Sequence, residues 1–283
     1  MKHFAAREAD MATALQLAAQ RHELFLLYQP KIDLGSGELA GVEALMRWDS
    51  PEFGLVEPAI FIPIAERSGA IDGLTEWGFR AALWQWLVWR DQGVKVEIAF
   101  NISALTLRDM HFPDYLQRLC QLQGVPCEAL ILEVTEGATQ HAMCLLDTLT
   151  RFRIKGMGLA LDDFGTGFSS LLQLRQLPYT ELKIDRCFIA DAARDGESRI
   201  IVKSVVDLAH GLGLTAVAEG VEDAETLQLL IALGCDRAQG FLIAEPMKAS
   251  DLVPWMLESL DTWRDLCHGD PVAEPVQAAA NGR

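Results

Sequence analysis

Basic residues are scarce in this sequence: 24 lysines and arginines stand against 40 aspartates and glutamates, a formal net charge of -16. Duplex DNA or an anionic membrane surface would be repelled by that balance, and no basic run offsets it locally. Cysteine is thin and unpatterned. The six thiols (Cys120, Cys127, Cys144, Cys187, Cys235 and Cys267) include no Cys-x-x-Cys pair, which argues against a zinc site or a disulfide framework and reads as reduced thiols of a cytoplasmic protein. His111, His141 and His210 have no second histidine at ligand spacing, so packing or surface roles are expected of them. The opening MKHFAAREADMATALQLAAQ has no unbroken apolar stretch, and no segment approaches the roughly 20 apolar residues of a membrane span. A Gly-x-Gly-x-x-Gly after the first strand is also missing, which counts against an open dinucleotide-binding sheet.

What remains is ample: 283 residues, half of them apolar, enough for one large domain. Helical spacing runs from about Ala9 to Arg21. LFLLYQPKIDL and ELAGVEALMRW then read as two strands joined by a turn at Gly35-Ser36-Gly37. Short apolar runs alternate with amphipathic segments from there on: VEIAFNIS, LILEVTE, GLALDDF, ELKID, TAVAEGV and RAQGFLI are each followed by a helical pattern. With the hairpin pair this makes about eight strands, so the predicted fold is an α/β barrel of the TIM-like (βα)8 type with an antiparallel first strand. Residues 1–20 are expected to form an N-terminal helix or linker, 21–266 the functional domain, and 267–283 a small, polar, disordered tail. Trp77, Trp84, Trp86 and Trp89 fall on one helical segment and are expected to pack, with any exposed remainder serving as a partner surface.

In such barrels chemistry gathers at the carboxyl ends of the strands. Nearly every predicted end carries a polar residue: Glu43, Asn101, Glu133, Asp162 with Asp163, Lys183, Glu219 and Gln239. Asp162 shares a strand face with Ala160, so Asp163 joins the same site only if the chain turns there, a turn we assign to Phe164-Gly165. Crowded carboxylates repel one another and require cations. An oxygen-rich, histidine-poor cage suits Mg2+ or Mn2+, and a bridging aspartate can hold two ions roughly 3.5 to 4 Å apart for in-line displacement at phosphorus. Taken singly, the motifs admit blander readings. Asp162-Asp163 and Ser103 could serve turns and caps, Glu219 and Glu222 could favour a helix N-terminus, and Lys183 could pair with Asp185. Placement at successive strand ends favours the joint reading.

The ordered set YQP, EALMRW, GLVEPAIFIPIAE, FNIS, EVTE, DDFGTGFSS, LKID, AEGVE and QGF resembles the EAL domain family of cyclic di-GMP phosphodiesterases, from about Leu24 to Met247. That resemblance implies a TIM-like barrel with its first strand antiparallel and two Mg2+ or Mn2+ ions. Glu43, Asn101, Glu133 and Asp162 would ligate one ion, and Asp162 would bridge to a second held with Asp163 and Glu219. Lys183 would touch the attacking water or the phosphate, so that Glu43, Asp163, Lys183 and Glu219 carry turnover. Arg47 would hold a substrate phosphate, with Gln29, Leu45, Asp185 and Gln239 also on the substrate side. Glu136 would anchor a mobile loop containing Phe164, Gly165, Thr166, Gly167 and Ser169, in which Phe168 stands where the family commonly has tyrosine. The resemblance implies hydrolysis of cyclic di-GMP to linear 5'-pGpG, a homodimer and a regulatory protein partner. A receptor that binds without cutting is the alternative.

Overall fold

The computed structural model describes residues 2–167 and 171–268. Helix α1 (Lys2–Ala18) precedes the hairpin of β1 (Leu24–Asp33) and β2 (Leu39–Ser50), and a short β3 (Gly54–Val56) folds back on β2. Helices α2 (Pro58–Ser68) and α3 (Ile71–Asp91) lead to β4 (Glu97–Asn101), and α4 (Phe112–Gln123) leads to β5 (Leu130–Thr135). Next come α5 (Ala142–Ile154), β6 (Gly158–Phe164), α6 (Leu171–Gln176), β7 (Glu181–Ile184) and α7 (Arg186–Ile189). The chain ends with α8 (Gly196–Gly211), β8 (Thr215–Ala218), α9 (Ala224–Leu233), β9 (Arg237–Gln239) and α10 (Ala249–His268).

The strand order β1-β9-β8-β7-β6-β5-β4-β2 closes through the β1–β2 pairing, so eight strands form a barrel and β3 lies outside it. β1 runs antiparallel to both β2 and β9. The remaining barrel pairs are parallel. A tight hairpin forces the inversion, because parallel strands need a long crossover. Asp33 Oδ1 accepts from the backbone N–H groups of Gly35 and Ser36 at 3.1 and 2.9 Å. Gly37 turns at φ 70°, and a Cβ there would come within 2.6 Å of Arg264 backbone.

Two boundaries differ from expectation. Helix α1 begins at Lys2 and stops at Ala18, because the N–H groups of Arg21 and Glu23 close back on the carbonyls of Leu17 and Ala18 around His22 at φ 58°. Helix α10 runs through His268, so the first two residues of the expected tail are helical, and 269–283 lie outside the described residues.

Alternation along each strand divides the apolar from the chemical residues. In β6, Leu159 and Leu161 are buried with the helix-facing core, whereas Ala160 and Asp162 face the barrel axis. The chief core lies between strands and helices and includes Ile98, Leu132, Leu182 and Val206. On the axis, a small buried hydrophobic cluster of the described residues joins Ala99, Ile131 and Ala160. A second core joins Met11 and Leu15 of α1 to Trp48, Phe61 and Leu74, where each fully buried large side chain contributes about 1.5–3 kcal/mol. The Trp48 indole N–H reaches Glu23 Oε2 at 3.0 Å, so its polar edge is satisfied inside that core. On α3, Trp86 and Trp89 are buried and donate to the carbonyls of Val96 and Ala249, while Trp84 is exposed.

Candidate active site

The parallel registers bring the scattered polar residues to one end of the barrel. Asn101 of β4 pairs with Glu133 of β5, and Glu43 of β2 pairs with Gln29 of β1. Between β6 and β7 the register passes from Leu161↔Leu182 to Phe164↔Ile184, so Asp162 and Asp163 together face Lys183 alone. This is a bulge, and Asp163 sits in it at φ 56°. The turn therefore falls one residue before the expected Phe164-Gly165, and β6 continues through Phe164. Aspartate is one of the few side chains that tolerate this left-handed backbone. The Asp163 N–H also donates to Asp162 Oδ1 at 3.0 Å, which locks the bulge. As a result one carboxylate oxygen from each of Asp162, Asp163 and Glu219 lies within 4.8 Å of the other two.

Lys183 is the hub of the acid cluster. Its Nζ lies 2.6 Å from Glu219, 2.8 Å from Glu133, 3.1 Å from Asp162 and 3.8 Å from Glu43. The simple Lys183–Asp185 pair is thus overturned, because the strand turns Lys183 to the axis while Asp185 accepts from the Cys187 N–H and caps α7. Burial pushes the Lys183 ammonium toward neutrality, but the carboxylates outweigh it and raise its pKa well above the ordinary lysine value. Burial also pushes Glu133 upward, yet Lys183 and Lys31 prevail and hold that carboxyl down at about 2. Glu43 moves up through burial and the nearby Glu133, and Asp163 through burial and Asp162. Burial drives Glu219 to about 8 despite Lys183, helped by Asp162, Glu43 and Glu133.

The donor set fits divalent cations. Asn101 Nδ2 donates to Glu43 Oε1 at 2.7 Å, which leaves its side-chain carbonyl oxygen as the atom that could ligate a cation. Gln239 Nε2 donates to Gln29 Oε1 and Glu43 Oε2 at 2.9 and 2.7 Å, and its own Oε1 is buried without a hydrogen-bond partner. An orphaned acceptor beside an all-oxygen cage is what a hydrated hard cation satisfies.

A proton must leave Glu219 before it can ligate a cation, since its pKa is raised to about 8. Mn2+ affinity is therefore expected to rise as pH increases from 6 to 8, by up to about tenfold per pH unit, and to level off above 8. Calorimetry in buffers of different ionisation enthalpy reads this as proton release on binding. A flat pH profile would contradict the assignment of Glu219 as a ligand.

Beside the acid cluster runs a groove of about 740 Å³ lined by Leu45, Arg47, Ile62, Glu66, Asn101 and Asp163, among others. Arg47 donates to the Met46 carbonyl at 2.9 Å and supplies the cationic wall. Of the expected substrate-side residues, Leu45 and Arg47 line the groove. Gln29 and Gln239 instead form a buried pair against Glu43, and Gln29 also donates to the Ala244 carbonyl at 3.0 Å. In the same groove Ser103 Oγ accepts from the Leu105 N–H at 3.2 Å, in keeping with the turn or cap expected of it, and donates to Glu66 Oε1 at 2.5 Å.

The loop after β6 is tied to Glu136, a buried carboxylate whose Oε2 accepts from the N–H groups of Gly165 and Gly167 at 2.9 and 3.1 Å. Gly165 has φ 99°, and a Cβ would strike the Phe188 ring at 2.6 Å, so glycine is required there. Thr166 Oγ1 closes the turn on the Asp163 carbonyl at 2.9 Å. Phe168 and Ser169 lie outside the described residues. Glu136→Ala would leave two backbone donors without this acceptor. We expect turnover to fall at least about tenfold, amide exchange at Gly165 and Gly167 to quicken, and Mn2+ affinity to stay within about twofold. Unchanged exchange would mean that the carboxylate does not hold the loop.

Two further readings stand corrected or completed. His210 pairs with Asp236 at 2.9 Å away from the acid cluster, in keeping with a surface role. Asp223, rather than Glu222, caps α9 by accepting from the Thr226 N–H at 2.8 Å. The site also includes Lys31, which sequence reading left out, and which contacts Glu133 Oε1 at 3.3 Å.

A closed eight-stranded barrel with one inverted strand, and at its strand ends an acid cluster of a kind that can hold a metal ion, defines a TIM-like barrel. The chain belongs to the EAL domain family, whose model matches residues 12–246. It is 40% identical over 252 residues to cyclic di-GMP phosphodiesterase PA2567 of Pseudomonas aeruginosa, covering 88% of this chain and 43% of that protein. It is 42% identical over 241 residues to the bifunctional diguanylate cyclase/cyclic di-GMP phosphodiesterase MucR of the same organism, covering 84% of this chain and 35% of the relative. The chain thus spans less than half the length of these curated relatives. The solved complex of PaMucR phosphodiesterase with c-di-GMP superposes with TM-score 0.81 at 41% identity, covering 86% of this chain and 99% of that one. The EAL enzyme Bd1971, bound to cAMP and cyclic-di-GMP, gives TM-score 0.84 at 31% identity over 89% and 69% of the two chains.

Proposed function

We propose that this chain hydrolyses one phosphodiester bond of cyclic di-GMP to give linear 5'-pGpG, with two Mg2+ or Mn2+ ions as cofactors. The observation that carries the proposal is the convergence of Asp162, Asp163 and Glu219 within 4.8 Å, next to Glu43, Asn101 and Glu133. The names borne by relatives at about this degree of identity support the substrate. Asp162 would bridge, with Glu43, Asn101 and Glu133 holding one ion and Asp163 and Glu219 the other. Such ions, when bound, activate water and offset the charge gained at phosphorus.

The protein's own groups do the rest. Arg47 presents a guanidinium to a phosphate of the substrate, which reconciles an acidic chain with an anionic ligand. Lys183 would donate to the attacking water or to a phosphate oxygen. Asp163 and Glu219 would contribute to turnover by holding the second ion, and Glu136 accepts from the N–H groups of Gly165 and Gly167 in the loop after Asp163. Asp185 and the Gln29–Gln239 pair support Asp163 and Glu43 respectively, Gln239 with an acceptor left for an ordered water.

Helix α6, which follows the loop, exposes Leu171 and Leu172, an apolar surface suited to a second copy of the chain or to a regulatory partner. Among the described residues no helix is long and apolar enough to cross a membrane. A cytoplasmic location is part of the proposal because the substrate is an intracellular messenger. The test is chromatographic analysis of cyclic di-GMP incubated with the protein in Mn2+ and again in chelator, beside a binding titration. Metal-dependent pGpG is the expected result, and tight binding without cleavage would make the chain a receptor.

A further inference from the structure

Below the acid cluster the barrel axis carries a column of alternating charge. β1 turns Gln29 and Lys31 to the same face, and Lys31, fully buried, reaches Glu133 Oε1 at 3.3 Å. Glu133 is also fully buried, and its other oxygen, Oε2, accepts from Lys183 at 2.8 Å and from Asn101 at 3.4 Å. The two carboxylate oxygens are therefore divided, Oε1 belonging to Lys31 and Oε2 to the acid cluster. Farther along the axis Arg237 joins Glu181 and Glu97 at 2.5 and 2.7 Å. Glu181 acts on the charge of Lys31 as well. The apolar residues sharing this interior include Ala99, Ile131 and Ala160, which offer no side-chain donor to Glu133 Oε1. A barrel interior is ordinarily filled by branched apolar side chains, and a buried ammonium is costly there unless it has a task.

We propose that Lys31 is a positioning residue of the hydrolytic centre, holding Oε1 of Glu133 so that Oε2 faces the cations. This rests on the phosphodiesterase reading. It assigns Lys31 no contact with substrate. The ammonium fixes one end of a carboxylate that would otherwise swing about its last torsion, and it supplies a permanent positive charge behind a ligand.

The experiment is calorimetric titration of Mn2+ into the parent protein, Lys31→Met, Lys31→Gln, Glu133→Gln and the Lys31→Met/Glu133→Gln double variant. Loss of a partner that orients a ligand is expected to weaken Mn2+ binding by about 10–100-fold in Lys31→Met, and by less in Lys31→Gln, whose amide can still donate. In the Glu133→Gln background the same Lys31→Met change should add less than about twofold, because its effect passes through Glu133. Hydrolysis lost by Lys31→Met at limiting Mn2+ should return at saturating Mn2+, which a merely structural defect would not allow. If Lys31→Met does not fold, Lys31→Gln and Glu133→Gln with their double variant decide the same cycle. Mn2+ affinity of Lys31→Met, or of Lys31→Gln in that case, within twofold of the parent overturns the proposal. So does an equal loss with and without Glu133. A parent that binds Mn2+ without cutting cyclic di-GMP overturns the phosphodiesterase reading alone, and one that binds no Mn2+ overturns both.

Discussion

Asp163→Asn protein is expected to lose cyclic di-GMP hydrolysis by at least about a thousandfold while keeping its fold. The substitution is informative because asparagine, like aspartate, accepts the left-handed backbone at φ 56° that this position adopts. The bulge and the packing therefore survive, and what disappears is one unit of negative charge from the trio Asp162, Asp163 and Glu219. Steady-state kinetics in saturating Mn2+, with circular dichroism as the control for folding, measures the effect. Binding of cyclic di-GMP should persist, since Arg47 is untouched and asparagine keeps the size of the Asp163 side chain in the groove wall. A variant that retained a tenth of parental turnover would remove Asp163 from the hydrolytic centre.

Lys183→Met is expected to destabilise the chelated protein by about 3–5 kcal/mol and to regain most of that stability when Mn2+ is added. One ammonium serves four carboxylates, with contacts from 2.6 to 3.8 Å, and its removal strands them in the barrel mouth. Methionine keeps the length of the side chain, so the change isolates charge from volume. For a chain of this size the loss corresponds to roughly 10 °C in the thermal midpoint. Cations entering the same carboxylates would offset it, whereas turnover should remain low because the proposed contact of Lys183 with the reacting phosphate or water would be lost as well. Equal midpoints for parent and variant in chelator would mean that the ion pairs contribute nothing net. A loss that Mn2+ leaves unrepaired would argue against cations at these ligands.

Much of this site was legible in the sequence because strand ends write it out in order. Asn101, Glu133, Asp162, Lys183 and Gln239 each end or nearly end an apolar run, and Glu219 falls just past one; Glu43 differs from the expected strand-end placement, lying inside β2, which continues through Ser50, and strand pairing turns the serial arrangement into a ring. The inverted first strand was legible too, since a glycine-rich turn between two strands leaves no room for a crossover. Other features depend on register, which local composition does not specify. The demand for neutralising cations was clear, but half of the answer was already inside the barrel. Lys31 reaches Glu133 across the interior, a partnership that needs β1 paired with β9 at Lys31↔Gln239 and with β2 at Lys31↔Gly41. One available signal was its spacing of two residues from Gln29, which puts both on one face. The turn at Asp163 escaped for a similar reason, because Gly165 is the stronger local cue for a positive φ. Gly165 does turn, at φ 99°, but after the bulge has formed. The short β3 depends on tertiary support from Trp48, which pairs with Val56 and packs in the same core, rather than on its own patterning.

The alternation of Leu159 and Leu161 with Ala160 and Asp162 has a consequence for how such a chain can change over generations. The faces that meet the helices maintain the architecture, while those on the axis and at the mouth perform the chemistry, and the two sets occupy different positions of the same strands. A lineage could exchange its fittings, trading hydrolysis for mere recognition of the same nucleotide, without disturbing the mount that carries them.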